Sequence, residues 1–572
     1  MPNLRPFSRM DILDRFASVR PITKGWSEDK KYCVTEADGA RYLLRVTPME
    51  RYEERKALFA MLERIAALGV PMCIPIEFGT CPDGVYSLQS WIDGEDLDTA
   101  LPLLPETEQY VLGLRAGEIL GKIHSIPTPE SQEDRAICEN KKIDHNMQKY
   151  RECGLRFDGD EYVIEYIEQN RHLLENRPLC FQHGDYHVNN MMLEDGRLKI
   201  IDFGYGFGDP WQEFESIRWC VDVSPFFATG FVRGYFDGEP PPQFWQLLLL
   251  YFAEGMFHNL LWAIPRGQEQ IDSALRHIND VFLWTDHMQN PVPAWYLQDF
   301  YIQWTDGIPY KLKTPFDFWF LKKYGKVFKV FDDQDSGNIC FGAADGENRY
   351  FIKFAGAPAA RAGVCAEEAV ANLKAAVPIY WDLAHPNLVK ILQAEEIGRG
   401  YAAVFEWVDA ECMGRMYPLS RRKFMEMPLE TRSKVFEDIL AFHPHVAARG
   451  YVAVDFYDGS ILYDFTNERT VICDIDVYTK KPYTNPVGRM WGSGRFMSPE
   501  EFTLGAEIDE VTNVYAMGAT AFALFAEYDR SPDGWPLTME LYDVVSRAVS
   551  DERDKRQQSV RQLIGEWEAA KV

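Results

Sequence analysis

One order of segments runs twice along this chain, and a repeat of that length leaves few folds open. Each copy opens on strand-like stretches bent at an Asp-Gly pair: "KYCVTEADGARYLLRV" turns at Asp38-Gly39 and "NICFGAADGENRYFIKF" at Asp345-Gly346. Asp-Gly between β-rich flanks signals a hairpin, because both residues tolerate the left-handed conformations that a tight hairpin turn needs. A helical pattern follows in each copy, "MERYEERKALFAMLERIAAL" and "AEEAVANLKAAVPIYWDL". Strand-like "VYSLQSWIDG" and "YAAVFEWVDA" come next, then long helices, then an Asp-rich stretch. This predicts a small β-rich lobe and a mostly helical lobe, made twice. At 572 residues the chain is also longer than one hydrophobic core serves. The join is expected in residues 290–315, where prolines and Gly307 break the periodicity.

Composition removes several partner classes. An apolar share of 46% with 14% aromatics suits packed domains. With 87 acidic against 60 basic residues the formal charge is −27, which disfavours nucleic acid and anionic membranes as partners. The surplus carboxylates permit a cationic substrate, though solvated surface is their ordinary use. The segment "FWQLLLLYFAEGMFHNLLWAI" is interrupted by Glu254, His258 and Asn259 and reads as buried helix, not membrane span. The N-terminus lacks the continuous apolar stretch of a signal peptide. Eleven scattered cysteines with no C-x-x-C pair suggest neither zinc site nor disulfide framework, and a cytoplasmic location is expected.

The chemistry concentrates in "HGDYHVNN", residues 183–190, and "IDFGYGFGDP", which begins at Ile201. Between them, apolar runs flank Asp195-Gly196, so the segment should fold as a hairpin that returns Asp202 to the end where Asn190 sits. Asp185, five residues before Asn190, then faces the same space. Two oxygen ligands at the hairpin's ends suit magnesium, which keeps several waters or phosphate oxygens. A third carboxylate can orient a hydroxyl and accept its proton, the set that transfer of a nucleotide's γ-phosphate requires.

These motifs resemble the phosphotransferase core of the aminoglycoside phosphotransferase family, a kinase-like fold, over residues 15–295. The resemblance implies Asp185 as catalytic base, Asn190 and Asp202 as magnesium ligands, and His183 as a structural part of the catalytic loop. His187 would orient that loop, while Asp209 and Glu213 would brace it. "TKGWSEDKKY" is similar to the family's phosphate-covering turn, with Gly25 and Ser27 as donors. Arg45 stands where a protein kinase has lysine and would grip phosphate oxygens, with Glu54 as its expected partner and Glu53 as the alternative. "QSWIDGEDL" would receive the adenine through its backbone.

The second copy resembles eukaryotic-type protein kinases over residues 318–568, through "HPNLVKIL", "WGSGRFMSPEEF" and "TNVYAMGATAFALF". Lys353 would contact phosphates, Asp455 would be the catalytic aspartate and Asp474 a metal ligand. Glu500 would pair with Arg556. The departures are specific. Ser460 stands where asparagine should bind metal, with Asp458 or Asp476 able to compensate. No His-Arg precedes Asp455, Asn513 replaces a bracing aspartate, and Glu367 and Glu368 lie too far upstream to be an obvious partner for Lys353.

The expected fold is therefore α+β: two tandem bilobal protein-kinase-like domains at 1–297 and 318–572, joined by a linker at 298–317. Each has a small antiparallel sheet lobe and a mainly helical lobe. The expected function is ATP-dependent phosphotransfer, with GTP also open, from a Mg2+-bound nucleoside triphosphate to a hydroxyl of a small molecule. An aminoglycoside-like or other cationic metabolite is the acceptor class that the resemblance suggests. Two alternatives stay open: Ser/Thr protein kinase activity on a protein substrate in the second domain, or a nucleotide-binding pseudokinase scaffold.

Overall fold

Thr35 pairs with Arg41 across the turn at Asp38-Gly39, where Gly39 takes φ 92°. This computed structural model describes residues 12–23, 29–128 and 135–571 and divides into two compact units, Met1–Gln298 and Asp299–Val572. In the first, five antiparallel strands stand side by side in the order Ser18–Ile22, Lys30–Thr35, Arg41–Thr47, Gly84–Ser90, Pro75–Cys81. Leu44 and Val46 point to one face with Val34 and Leu88 and form a small core there. Strand alternation sends Leu43 and Arg45 to the opposite face. The helix Tyr52–Ala67 buries Leu58, Met61, Leu62 and Ile65 in a second, larger core shared with the helical lobe.

That larger core is organised by a close helix crossing. Gly113 and Gly117 on Glu106–His124 meet Gly230 and Gly234 on Pro225–Phe236. A Cβ on any of the four would stand 2.0–2.3 Å from backbone of the facing helix. Only hydrogen fits, so the two backbones approach closely enough for dispersion contacts along the whole crossing. The crossing also holds the segment around Asp185: Tyr186 donates to Ala116 O at 2.8 Å and packs against Phe231. The helix Pro242–Ala263 is long and apolar enough to cross a bilayer, yet it is buried on nearly all sides within this core.

The second unit repeats the sheet order with Lys326–Phe331, Asn338–Asp345, Asn348–Ala355, Gly400–Glu406 and Ile391–Ile397. The helix Ala366–Asp382 follows its third strand, as Tyr52–Ala67 does in the first unit. In each unit a short hairpin docks under the sheet by an isolated parallel bridge, Met72 to Ile200 and Leu388 to Ile472. The helix Glu510–Ala526, capped by Asp509, is buried from Val511 to Phe525.

Of residues 298–317, expected to be a linker, all but Gln298 fall in the second unit and include paired strands. Tyr301–Thr305 and Ile308–Leu312 form a hairpin, and Tyr310 and Leu312 enter an apolar cluster with Phe318, Phe341 and Phe354. Asp306 and Gly307, both at positive φ, make its turn, while Pro309 lies within the second strand opposite Trp304. Tyr310 and Leu312 supply its buried face, and Tyr301 and Trp304 are exposed.

Candidate active site

In the first unit the hairpin forms as its Asp-Gly pair predicts: Met191 pairs with Ile200 and Glu194 with Arg197 around Asp195 and Gly196, both at positive φ. Asn190 and Asp202 therefore flank its open end. Asp202 sits at φ 62°, a region that aspartate tolerates better than most residues and that turns the chain sharply into Gly204. Asp185 meets Asn190 directly, accepting from its Nδ2 at 2.8 Å on both the backbone O and Oδ2.

Two buried groups hold this loop. His187 Nδ1 accepts from Asn189 N, so the proton stands on Nε2, which donates to Asp185 Oδ1 at 2.8 Å. Burial by itself would raise the Asp185 carboxyl, but His187 and Asn190 hold it below its usual range, so it is ionised at neutral pH. Its side chain is 61% exposed and thus open to an acceptor. Burial keeps His183 neutral; its Nε2 donates to Ile201 O and its Nδ1 accepts from Asp185 N. Beneath it, Glu213 accepts from His183 N and Gly184 N and contacts His124 Nε2 at 2.9 Å. Asp209 binds Arg177, Trp211 N and Tyr251. Asp209 and Glu213 thus shape the loop from inside the fold.

A cavity of about 270 Å³ opens between the sheet and this hairpin. Ile22, Leu43, Val85, Ile92 and Ile200 give it apolar walls, Gln89 and Trp91 join them from the segment expected to receive adenine, and Lys31, Arg45, Arg55, Asn190 and Asp202 make it polar. The cation pairing differs from expectation. Arg45 donates to Asp202 Oδ1 at 2.8 Å and lies 3.6 Å from Asp29, whose side chain is fully buried. Arg55 from the helix binds the same Asp29 at 2.7 Å. Glu54 turns away to Arg51 at 2.6 Å, and Glu53 is exposed, so neither partners Arg45. The helix thus presents an arginine to an acid just ahead of the strand Lys30–Thr35, reversing the charges expected. Asp29, Lys31 and Arg55 were not singled out from the sequence. Strand alternation together with the Asp38-Gly39 turn does place Lys31 beside Arg45, as the observed pairing has it. Gly25 and Ser27 lie outside the described residues.

Asn190 and Asp202 supply two hard oxygen donors at the edge of the cavity, enough for a magnesium ion that takes its other ligands from phosphate and water. Among the described residues no group of three or more His, Cys, Asp or Glu is placed to hold a metal by itself. Acids farther along the helical lobe, which could attract a cationic substrate, are largely engaged. Glu254 binds Asn146 at 2.7 Å and Lys142 at 3.1 Å, Glu213 serves the loop, and burial pushes Glu215 up to about 8. Asp222 lies 3.7 Å from Arg218.

With this geometry, a family likeness falls in the first unit. Residues 18–245 match the phosphotransferase enzyme family. No curated protein matches the chain. Among solved structures, the gentamicin complex of the aminoglycoside phosphotransferase APH(2")-IIa is similar at 17% identity, over 47% of this chain and 92% of that one, with a TM-score of 0.36. The ADP-bound aminoglycoside phosphotransferase APH(2'')-Ib is similar at 15% identity, over 46% and 93%, with a TM-score of 0.35. The segment matched to the phosphotransferase family contains Arg45, Asp185, Asn190 and Asp202.

In the second unit Lys353 reaches Asp474 at 3.0 Å and Asp476 at 2.6 Å, and Tyr380 donates to Asp476 at 2.7 Å. Its partners are these two acids; Glu368 is exposed on the helix. Asp458 is buried against Arg421 and Tyr528, so it does not replace the missing asparagine, and Ser460 Oγ is buried without a hydrogen-bond partner. Asn513 takes over the bracing role with an amide, accepting from Ala453 N and donating to Ala453 O. Glu500 and Arg556 form a bidentate pair at 2.7 and 3.0 Å.

Asp455 is covered. Its Oδ1 has no hydrogen-bond partner, and a Cβ at Gly492 would stand 2.8 Å from it. Burial, with the charges of Asp474 and Glu501, pushes its carboxyl up to about 7. A carboxyl with a raised folded pKa holds a proton that the unfolded chain has lost, so its penalty is absent near pH 4 and grows as pH rises towards 7. Asp455→Asn is therefore expected to stabilise the chain by about 1–3 kcal/mol at pH 8. Chemical denaturation should show that gain vanish at pH 4, and a gain equal at both pH values contradicts the assignment.

Proposed function

We propose that the first unit transfers the γ-phosphate of ATP, with GTP as a second possible donor, to a hydroxyl group of a small molecule. The observation that carries this reading is that Asn190 and Asp202 line a cavity with apolar walls and cationic side chains, with Asp185 hydrogen-bonded to Asn190 beside it. The match to the phosphotransferase family supports it.

Leu43, Val85 and Ile92 suit a flat base, while Arg45 and Lys31 suit the phosphates. Asn190 and Asp202 would hold magnesium, which when bound neutralises charge on the β- and γ-phosphates. Asp185 accepts a hydrogen bond from the acceptor hydroxyl and aligns its oxygen on the γ-phosphorus. As the new P–O bond forms and the bond to ADP breaks, the hydroxyl proton passes to Asp185. A carboxylate held below its usual pKa is a modest base, which suits a loose transition state in which most of the proton transfer comes late. His187 keeps one carboxylate oxygen fixed while Asn190 orients the other. The eleven free cysteines accord with a reducing, cytoplasmic setting.

The test is transfer from radiolabelled ATP to a panel of hydroxylated metabolites and aminoglycosides, with the full chain. A labelled small molecule whose formation requires Asp185 supports the reading; label confined to inorganic phosphate across the panel counts against it. The ion-pair map adds a contrast. Glu54→Gln is expected to leave the nucleotide KM within about twofold, since Glu54 makes only an exposed i,i+3 pair. Asp29→Asn should raise that KM by roughly tenfold or more, because it strips a buried anion from Arg45 and Arg55.

A further inference from the structure

The two sheets share one register, so the walls of the two interlobe sites can be compared position by position. In the first unit Ile22 pairs with Lys31, Lys31 with Arg45, and Leu43 with Gln89. In the second, Phe331 pairs with Cys340, Cys340 with Lys353, and Phe351 with Phe405. With Arg45 matched to Lys353, the cavity-lining residues Ile22, Leu43 and Gln89 correspond to three phenylalanines. Trp91 and Trp407 each follow two residues later.

Those rings pack on one another. Phe351 lies 5.7 Å from Phe331, 6.2 Å from Phe405 and 6.5 Å from Trp407, centroid to centroid. Phe328 closes the group against Trp407 at 4.7 Å. Phe351 is two residues from Lys353 and so shares its face of the strand, the face on which Lys353 reaches Asp474. The cluster therefore stands where the first unit has open, apolar-walled space.

Lys353 is held by Asp474 and Asp476, and Tyr380 fixes Asp476. The Lys353–Asp474 pair is the counterpart of Arg45–Asp202 in the first unit, and each cation has a second acid nearby, Asp476 here and Asp29 there. Cys340 stands where Lys31 adds a positive charge in the first unit. The turn after the strand Lys326–Phe331 carries Asp332 and Asp333, both engaged by Lys311, and Asp335, whose charge reaches Asp455.

We propose that the second unit binds no nucleoside triphosphate, because its own aromatic side chains occupy the place of the base. The chain then carries two copies of one architecture and a single nucleotide site. This rests on the first unit's nucleotide site only for the count, since the filled cleft is read from the second unit alone.

Titration calorimetry of the full chain with Mg2+ and ADP separates the cases. One ADP per chain, lost in the double variant Arg45→Met, Asp202→Asn, is the expected result. Two per chain, or binding that survives the double variant, overturns the proposal. No binding at all would uphold it and instead defeat the phosphotransfer reading of the first unit. Photolabelling of the wild-type chain with 8-azido-ATP does not depend on the folding of a variant. Labelled peptides should fall within residues 12–245, and saturable label within residues 318–568 would sink the proposal.

Discussion

Asp185→Asn is expected to lower phosphotransfer by about 10²–10⁴-fold while nucleotide affinity stays within about threefold. The substitution keeps size and shape but removes the proton acceptor. It also creates a local conflict: His187 Nε2 and Asn190 Nδ2 both donate to the present carboxylate, and an amide offers only one oxygen to two donors. The loss should therefore appear in kcat, with ADP binding by calorimetry as the control. Wild-type turnover in this variant would remove Asp185 from the mechanism. His187→Gln should give a smaller loss, since the base survives and only its orientation is released.

The largest structural effect is expected from Glu213→Ala. Its carboxylate takes two backbone N–H groups of the catalytic loop and faces His124 in a site from which water is excluded. Removing it strands three donors, and the cost should be about 3–5 kcal/mol. A two-unit chain does not unfold in one step. The loss should be read in the thermal transition that added ADP raises, because ligand stabilises only the unit that binds it. Glu213→Gln, which keeps one acceptor, should lose about half as much. An unshifted ADP-sensitive transition in the alanine variant would show that the loop is braced elsewhere.

Much of the candidate site is legible because its parts are close in sequence. Asp185, Asn190 and Asp202 fall within eighteen positions, and the Asp195-Gly196 turn between them dictates a hairpin whose two ends must meet. The ion pairs were less legible. Arg45 has acids available at Asp29, Glu53 and Glu54, and which one it meets depends on how the helix Tyr52–Ala67 rotates against the sheet. The helix buries Leu58, Leu62 and Ile65, which turns Arg55 inward and leaves Glu53 and Glu54 towards solvent. In the same way, "YFIKF" showed a lysine on a strand but not that its neighbour Phe351 meets Phe331 and Phe405.

Local periodicity and turn chemistry, readable from the residues alone, set the repeated order of elements, the hairpins at Asp-Gly pairs, and the clustering of Asp185, Asn190 and Asp202. What each cleft contains depends on the packed fold. Whether a side chain lines a space or fills it depends on residues brought together from strands far apart in the chain. The first unit sets Leu43 beside Gln89 around a cavity; the second sets Phe351 beside Phe405 in van der Waals contact. Around Arg45 and Lys353 the backbone pairing is the same, and side-chain volume makes the difference.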